Sequence, residues 1–535
     1  MEISSELIAA AEQLVGLRFT AAERELMREG LYKQLERYAQ LRSVTLSNDV
    51  PPALLFDPQP SSNAAPISLP SKSQVTTKAP APAVPADLEQ LAFAPVTQLA
   101  ELIRTRQVSS VALTEMYLRR LKRYDPMLRC VVSLTEELAL SQARRADHEL
   151  AAGRYRGPLH GIPWGAKDLL ATRGIRTTWG ATPFQEQMID ADATVVRRLE
   201  DAGAVLVAKL AMGELAWGDI WFGGTTKNPW NLAEGSSGSS AGPGAATAAG
   251  LAGFTIGTET WGSIISPSAR CGVTGLRPSF GRVSRAGAMA LSWSMDKIGP
   301  ICRSVEDCAL VLQAIYGPDG QDGTVVDRPF SWNPAADLKQ LRIGYIKRDF
   351  DTERDGRAQD DQTLATLRAL GAELIPIELP NYPVDALAFI LFTEAAAAFD
   401  ELTRSDRDDL LVQQIQDAWP NMLRLARLIP AVEYIQANRV RTLIIRAMAD
   451  LMQTIDVYIA PASVGDNLLL TNLTGHPAIA LPNGFSAAGT PTSITFNGRL
   501  YDEATLLAVA KQYQDATDFH LQHPPMNFAD IEIGN

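Results

Sequence analysis

A segment made almost entirely of glycine, serine, alanine and threonine is the most unusual chemical feature of the sequence, and it spans residues 234–253. Small residues let the backbone approach another backbone or a ligand very closely. The segment leads into good helix formers at 245–251 and then into an apolar run, so a functional loop is favoured over a flexible linker. The loop contains four serines: Ser236, Ser237, Ser239 and Ser240.

A second small-residue turn covers residues 258–267 and follows an apolar run at 253–257 that we predict to be a buried strand. A serine that follows a glycine at the end of a strand is a reasonable nucleophile, and Ser263 has this position. The backbone amides that precede it can converge on an oxyanion as negative charge develops. The turn is therefore a candidate site of nucleophilic catalysis.

A lysine among apolar and small residues, Lys167, lies upstream in the segment 161–168. Burial disfavours the ammonium form, so such a lysine can be neutral and act as a base. Taken alone, the residue is more simply explained by a salt bridge with a nearby carboxylate, such as that of Asp168.

Composition narrows the class of protein. The chain has 535 residues and a formal net charge of −12, which makes nucleic acid a poor default partner. Four cysteines without a CxxC pair give neither a disulfide framework nor zinc-ligand spacing. The first residues lack the pattern of a secretion signal, and no apolar stretch reaches membrane-spanning length. We therefore expect a cytoplasmic protein.

Three regions are predicted along the chain. Residues 1–47 form an N-terminal helical extension, because Thr20 to Glu23 has the form of a capping box and apolar residues then follow at helical spacing. Residues 48–87 form a proline-rich linker with nine prolines between Pro51 and Pro85. It is either a flexible tether or a strap anchored by residues 54–56. Residues 88–535 form the catalytic domain.

An α/β fold is predicted for this third region. Helical patterns at 96–122, 135–152 and 194–202 alternate with apolar strand patterns at 204–209 and 253–257. Such alternation favours a large β-sheet covered by α-helices on both faces.

Several motifs in order resemble the amidase signature family, over about residue 88 to the end. The lysine segment, the serine-glycine loop and the Ser263 turn are three of them. The others are Gly157-Pro158-Leu159-His160-Gly161-Ile162-Pro163, Asn228-Pro229-Trp230, Cys271-Gly272-Val273-Thr274-Gly275-Leu276-Arg277-Pro278, Gly281-Arg282-Val283, Asp296-Lys297-Ile298-Gly299-Pro300 and Asp502-Glu503-Ala504-Thr505-Leu506-Leu507. The resemblance implies the amidase signature fold, with a large mixed sheet.

The resemblance also implies three catalytic residues: a lysine, a serine in a cis peptide bond and a nucleophilic serine. Matched position by position, these fall on Lys167, Ser239 and Ser263. Counting forward from Trp230 and backward from Ser263 along the family pattern selects Ser239 rather than Ser236. In the implied mechanism, neutral Lys167 takes a proton from Ser239, which takes one from Ser263 as it attacks the amide carbonyl.

Further site residues follow from the same matching. The expected oxyanion donors are the amides of Thr260, Trp261, Gly262 and Ser263. The expected substrate contacts are Gly238 and Ser240, together with Trp217 from a segment at 211–223 that we expect to border the site. For Trp217, packing in the core is the simpler interpretation.

The implied activity is hydrolysis of a carboxylic amide to an acid plus ammonia or an amine, through a serine acyl-enzyme. The implied substrate is a small-molecule amide, and neither a metal nor an organic cofactor is needed. A homodimer is expected at the level of the family.

Six positions depart from the family pattern: Ser237, Ala241, Pro243, Glu259, Trp261 and Ile265. Trp261 stands where a glycine of the oxyanion turn is usual, and Ile265 stands where an arginine is usual. These two side chains either make an apolar acyl pocket or merely pack. The three catalytic positions are intact, so we expect an active enzyme.

Three alternatives remain open. Residues 238–242 also satisfy G-x-S-x-G, which would make Ser240 a nucleophile with His476 or His520 as its base. The residues before this motif, 231–234, do not read as the hydrophobic strand that such an elbow requires. The family also includes the A subunit of tRNA-dependent amidotransferases, which delivers ammonia to a partner, and the N-terminal helices resemble the small C subunit of that complex. A binding protein that kept the fold is the third alternative.

Overall fold

The computed structural model describes residues 2–47, 50–54, 83–335, 337–462 and 464–526. Most of the predicted linker, with Leu55 and Phe56 of the predicted anchor, lies outside these residues. Leu54 is 42% exposed. At the start of the linker, the Ala53 amide donates to the carbonyl of Asn438 (2.9 Å). Across the described ranges, no helix combines the length and apolar character that crossing a membrane requires.

The helices of the described residues are, in chain order, α1 Ser5–Val15, α2 Ala21–Arg42, α3 Val96–Arg104, α4 Ser110–Leu128, α5 Glu136–Ala151, α6 Thr194–Asp201, α7 Ala241–Ala248, α8 Ile265–Cys271, α9 Val305–Ile315, α10 Lys347–Asp351, α11 Arg357–Ala369, α12 Phe389–Ala398, α13 Asp400–Arg404, α14 Trp419–Ala426, α15 Ala431–Thr454, α16 Asn467–Thr474 and α17 Glu503–Asp515. Short 3-10 turns cover Leu88–Leu91, Thr182–Phe184, Glu214–Ala216, Leu338–Gln340, Asp385–Ala388, Arg407–Leu410 and Phe519–Leu521.

The strands are β1 Val131–Leu134, β2 Pro163–Lys167, β3 Val205–Leu210, β4 Ile220–Trp221, β5 Gly224–Thr225, β6 Lys227–Asn228, β7 Asn231–Gly235, β8 Phe254–Glu259, β9 Thr274–Arg277, β10 Lys297–Cys302, β11 Ile343–Ile346, β12 Leu374–Ile377, β13 Val457–Pro461, β14 Ala478–Phe485 and β15 Pro491–Gly498. Eleven of them form one sheet in the order β1-β3-β2-β8-β10-β9-β14-β15-β13-β11-β12.

The sheet is mixed, as the family resemblance implies. Strand β2 runs parallel to both of its neighbours, β3 and β8, whereas β10, β9, β14 and β15 pair antiparallel with each other in that order. Parallel pairing returns between β13, β11 and β12. The pairs β4-β5 and β6-β7 are two-stranded hairpins outside the main sheet.

Strand β3 shows that apolar side chains cover both faces of the sheet. Successive residues of a strand point to opposite faces. Val205 and Val207 belong to a core cluster that includes residues of α4, α5 and α7, while Leu206 belongs to the large cluster that includes residues of α3 and α6. The fold is therefore the predicted α/β fold, with helices on both faces.

The prediction of one helix over 96–122 is wrong, because the structure has two helices, α3 and α4, in this region. Arg106 lies between them with a positive φ of 60°, a conformation that a helix interior does not allow. The hydroxyl of Ser109 then accepts a hydrogen bond from the Ala112 amide (3.1 Å) and starts α4. The helix predicted at 245–251 also begins earlier, at Ala241.

The N-terminal helices pack on the main body. The predicted capping box is present, since the Glu23 amide donates to the Thr20 hydroxyl and the Thr20 amide donates to the Glu23 carboxylate. Met27 of α2 is fully buried in a cluster with Leu425 of α14. The Gln34 amide group donates to the carbonyl of Leu425 (3.3 Å), so α2 lies directly against α14.

Candidate active site

Lys167 is the last residue of β2, which lies between the parallel strands β3 and β8, and its side chain is fully buried. Its Nζ lies 2.8 Å from Ser239 Oγ and 3.1 Å from Ser240 Oγ. It also lies 2.9 Å from Thr258 Oγ1. Burial lowers the pKa of Lys167 to about 7, although the carboxylates of Asp296 and Glu259 oppose this shift. A neutral amine is therefore available near neutral pH, and it can accept a proton from a bound hydroxyl.

The salt bridge between Lys167 and Asp168 that the sequence allowed is not formed. Asp168 pairs instead with Lys209 of β3, at 2.9 Å between Nζ and Oδ1. The second oxygen of Asp168 accepts hydrogen bonds from the amide and hydroxyl of Thr178 (2.8 and 2.5 Å). Asp168 is thus occupied by other partners, and the amine of Lys167 faces only neutral oxygen atoms within hydrogen-bonding distance.

Ser239 lies in the glycine-serine loop immediately before α7, and the peptide bond between Gly238 and Ser239 is cis. No side chain fits at Gly238, because a Cβ atom there would lie 1.7 Å from the carbonyl oxygen of Gly218. On the other side, the Gly213 amide donates to the Ser239 carbonyl (3.3 Å). Close backbone contacts therefore fix the loop that presents Ser239 to Lys167.

The competing serines of the loop have other contacts. The Ser236 hydroxyl donates to the carbonyl of Ser237 (2.9 Å), and the Ser237 amide donates to Asp219 (2.9 Å). The Ser240 hydroxyl is held by the amide and carbonyl of Thr258, each at 3.1 Å. Only Ser239 and Ser240 reach Lys167, and Ser240 is already engaged with the backbone of β8.

Ser263 lies in the turn between β8 and α8 and is half-buried. Its carbonyl accepts a hydrogen bond from the Ser240 amide (3.1 Å), so the two serine-bearing segments are in direct contact. Gly262 has a φ of 94°, which favours glycine. A Cβ atom at this position would lie 2.9 Å from Leu468 Cδ2 and 2.9 Å from Ser266 Oγ. A residue larger than glycine at position 262 would therefore have an unfavourable φ and would lie too close to its neighbours.

Glu259, the last residue of β8, holds the C-terminal end of the Ser263 turn through hydrogen bonds to its backbone. One carboxylate oxygen accepts from the amides of Ile264 and Ile265 (2.8 and 2.9 Å) at the start of α8. The other accepts from Arg277 Nη1 and Asn472 Nδ2, both at 2.8 Å. Burial alone would raise the pKa of Glu259, but these partners lower it overall, so the carboxylate stays ionised.

Asp296 holds the other end of the turn. It accepts a hydrogen bond from the Thr260 hydroxyl (2.6 Å) and from the amides of Leu291 and Ser292 (2.9 and 3.0 Å). Sequence reasoning did not assign a role to Asp296, Thr258 or Glu259. Asp296 was signalled by its place in a family motif, and Glu259 by its departure from one.

The expected oxyanion donors, the amides of Thr260, Trp261, Gly262 and Ser263, belong to the segment between β8 and α8. Among the described residues, the amides of Trp261, Gly262 and Ser263 donate no hydrogen bond within the protein. The following amides, of Ile264 and Ile265, are both engaged by Glu259. Free backbone donors just ahead of the serine side chain are the arrangement that an oxyanion hole needs.

The three expected substrate contacts differ in their surroundings. Gly238 and Ser240 lie on either side of Ser239. Trp217 packs against Phe392 and Trp419, with ring centroids 6.1 and 5.0 Å away, so its indole is held in an aromatic cluster. Its role in substrate binding stays a prediction.

The histidine-based alternative lacks the required contacts. His476 Nδ1 lies 2.8 Å from Thr474 Oγ1, and burial lowers the pKa of His476 to about 4. Within the described ranges neither His476 nor His520 is hydrogen-bonded to Ser240. Asn231–Gly235 forms a short strand, β7, before the loop. It belongs to a partly exposed hairpin outside the main sheet, and is not a buried elbow strand.

Within the part of the chain that the structure describes, no three or more histidine, cysteine, aspartate or glutamate side chains form a group that could hold a metal ion.

Comparison with known proteins identifies the family of the chain. The profile of the Amidase family matches residues 112–469. The A subunit of the glutamyl-tRNA(Gln) amidotransferase of Methylococcus capsulatus is 36% identical over 477 residues, which cover 80% of this chain and 98% of the relative. A protein of Mycobacterium bovis that carries the name putative amidase AmiD is 36% identical over 473 residues, covering 83% of this chain and 99% of the relative.

Among solved structures, the native peptide amidase from Stenotrophomonas maltophilia superposes with a TM-score of 0.71 and 30% identity. The alignment covers 82% of this chain and 99% of that enzyme. The family profile spans more than half of the chain, and relatives of similar length align over nearly their whole sequence. The chain therefore belongs to the amidase family.

Proposed function

We propose that the protein hydrolyses a carboxylic amide to an acid and ammonia or an amine, with Ser263 as nucleophile and Lys167 and Ser239 as a proton relay. The observation that carries the proposal is the buried amine of Lys167, 2.8 Å from the hydroxyl of Ser239. A lysine with a pKa near 7 can serve as a general base at neutral pH.

The reaction begins with proton transfer along the relay. Neutral Lys167 takes the proton of Ser239, Ser239 takes the proton of Ser263, and the Ser263 oxygen attacks the amide carbonyl. Negative charge develops on the former carbonyl oxygen, and the free amides of Trp261 and Gly262 with that of Ser263 stabilise it.

The relay then runs in reverse. The proton returns through Ser239 to the leaving nitrogen, the C–N bond breaks, and an ester of Ser263 remains. Water attacks this acyl-enzyme with the same base, and the acid leaves with Ser263 restored. Every step uses groups of this chain and water alone.

Labelling with a fluorescent fluorophosphonate tests the nucleophile. The wild-type protein is expected to label, and Ser263→Ala is expected to lose both labelling and amide hydrolysis. Ser237→Gly is the matched control, because Ser237 lies in the same loop with a φ of 61° that glycine tolerates. Labelling that persists in Ser263→Ala, or is absent from the wild type, would contradict the proposal.

A second candidate function is ammonia delivery as the amidase-type component of an amidotransferase. It is favoured by the 36% identity to the A subunit of the Methylococcus capsulatus enzyme. The two functions predict different behaviour of the isolated chain. Efficient hydrolysis of simple amides by the purified protein alone favours the first, whereas activity that requires a co-purifying large partner favours the second.

A further inference from the structure

The turn that carries Ser263 forms part of the wall of a cavity of about 410 Å³. Trp261 and Ile265 line it from the turn and from α8, and Leu468 and Ala478 line it from α16 and β14. Leu468 is also the side chain that packs over Gly262. The wall of the cavity thus includes the residues two positions before and two positions after Ser263, and its volume is within the usual range for small-molecule sites.

The two unusual residues of this wall behave differently. Ile265 is fully buried and packs with Ala478, Ala480 and Leu468, so the packing interpretation applies to it. Trp261 is 37% exposed, and among the described residues no other aromatic ring stacks on its indole. A large aromatic surface two residues before Ser263 is therefore open to a ligand.

The charge of the cavity limits what that ligand can be. None of its described lining residues is a lysine, arginine or histidine, whereas Asp385 and Asp466 both contribute to the wall. Asp385 forms an ion pair with Arg37 of α2 (3.2 Å), but the side chain of Asp385 is itself 66% exposed. A carboxylate on the ligand would find no cation in this wall and would be repelled by Asp466.

We propose, on the basis of the amidase function proposed above, that this cavity binds a neutral aromatic or bulky aliphatic substituent of the amide substrate against the indole of Trp261. The substrate class is thus an amide with a large uncharged group, and amides that carry a carboxylate, such as glutamine, are poor substrates. Trp261 is then a specificity-determining residue, and its backbone amide keeps the separate role of oxyanion donor.

A second cavity provides a matched control. It has a volume of about 250 Å³ and is lined by Thr258 and Thr260 of the same turn region, together with Met289, Leu291 and Trp293. Trp293 is 51% exposed. Replacing Trp293 removes an indole of equal size from the other cavity, so the two variants separate a specific contact from a general loss of aromatic surface.

The test measures kcat/KM for butyramide, 4-phenylbutyramide, N-benzylbutyramide and glutaramate with the wild type, Trp261→Ala, Trp261→Phe and Trp293→Ala. The wild type is expected to prefer at least one of the two aromatic amides to butyramide and to hydrolyse glutaramate least. In Trp261→Ala, the ratio of kcat/KM for the preferred aromatic amide to kcat/KM for butyramide is expected to fall by about three- to tenfold. Trp261→Phe and Trp293→Ala are each expected to keep most of the wild-type ratio. The ratio cancels any general loss of activity that the substitution causes.

Each result supports or overturns the proposal. A wild type that hydrolyses butyramide or glutaramate at least as well as both aromatic amides would overturn it, while the amidase function would stand. The proposal also fails if Trp293→Ala lowers the ratio as much as Trp261→Ala. If Trp261→Ala does not fold, the proposal is still tested by the substrate preference of the wild type and by the ratio of kcat/KM values for the aromatic amide and butyramide in Trp261→Phe. Absence of hydrolysis of every amide would overturn the proposed function itself.

Discussion

Lys167 is the residue whose state of protonation governs the proposed chemistry. Its pKa is lowered to about 7 by burial, and only the neutral amine can start the relay. We therefore expect kcat/KM to rise with pH, with a slope near one on logarithmic axes below pH 7, and to level off above about pH 8. The measurement is a pH profile with a neutral amide whose own charge does not change.

Lys167→Arg is the control for this pH profile, because an arginine side chain stays protonated throughout the range. It is expected to be inactive at every pH, with thermal unfolding showing that the variant is folded. A wild-type profile that is flat between about pH 5.5 and 9, or that falls as the pH rises, would contradict the assignment of Lys167 as the base.

The sequence identifies the residues that carry a motif, but their partners could not be predicted from it. Lys167 and Ser239 follow from family matching, and the structure brings them within 2.8 Å. The pairing of Asp168 with Lys209 was not foreseen, because it depends on the register of two parallel strands. The contact between Thr258 and Lys167 was not foreseen either, because it arises from β8 lying beside β2.

At the level of elements, Glu259 links β8, α8, β9 and α16 through a single carboxylate. Both carboxylate oxygens of Glu259 accept hydrogen bonds, whereas the amide of a glutamine has only one oxygen. In Glu259→Gln the NH2 group of the new amide would therefore face either Arg277 or the α8 amides, which are themselves donors. Both Arg277 and Glu259 side chains are fully buried, so we expect a loss of about 3–5 kcal/mol in the free energy of unfolding. We also expect a fall in kcat, measured on the same samples, because the Ser263 turn loses its anchor.

Glu234→Gln is the matched control for Glu259→Gln. Glu234 pairs with Arg270 at 3.0 Å, but both side chains are partly exposed, at 36% and 50%. An exposed ion pair contributes roughly 0–1 kcal/mol, so little change is expected. Equal effects of the two substitutions, in denaturant unfolding or in kcat, would show that Glu259 has no special role.

A small apolar cluster holds the N-terminal helices α1 and α2 against α14. Met27 is fully buried there with Ile3, Ile8, Phe19 and Leu425. Met27→Ala is expected to reduce stability by about 2–5 kcal/mol, because it removes a well-packed side chain. Thermal unfolding and hydrogen exchange of the α2 amides measure the effect. Leu35→Ala is the control, because Leu35 lies on the same helix but is 43% exposed. It should change stability by less than about 0.5 kcal/mol. Equal losses of stability in the two variants would contradict a special role of the buried cluster.

Element boundaries were predictable where a local signal exists. The capping box at Thr20 marks the start of α2 because the interacting groups are three residues apart. The break between α3 and α4 was missed, because the residue with positive φ is Arg106 and no glycine or proline marks the turn. Residues 245–251 were predicted as helix, but α7 starts at Ala241, within the glycine-rich loop, and ends at Ala248.

At the scale of the whole molecule, the class of fold followed from alternating helices and apolar strands, but the order of strands did not. The C-terminal strand β14 lies between β9 and β15. Its residue Ile479 pairs with Leu276, which is distant in the chain. Such long-range pairing is decided by packing over the whole sheet, and no local pattern of one sequence encodes it.

The net charge of the whole chain leads to a last prediction, which bears on the amidotransferase alternative. With a formal net charge of −12, the protein is expected to repel the phosphate backbone of tRNA, since binding of nucleic acids depends largely on cationic side chains. In an electrophoretic mobility assay at physiological salt, we expect no complex with tRNA at about 10 µM protein. A lysine-rich peptide in the same gel controls for the assay. A complex formed below about 1 µM would show that a local basic surface outweighs the overall charge, and it would favour a role for the chain at charged tRNA over hydrolysis of small amides.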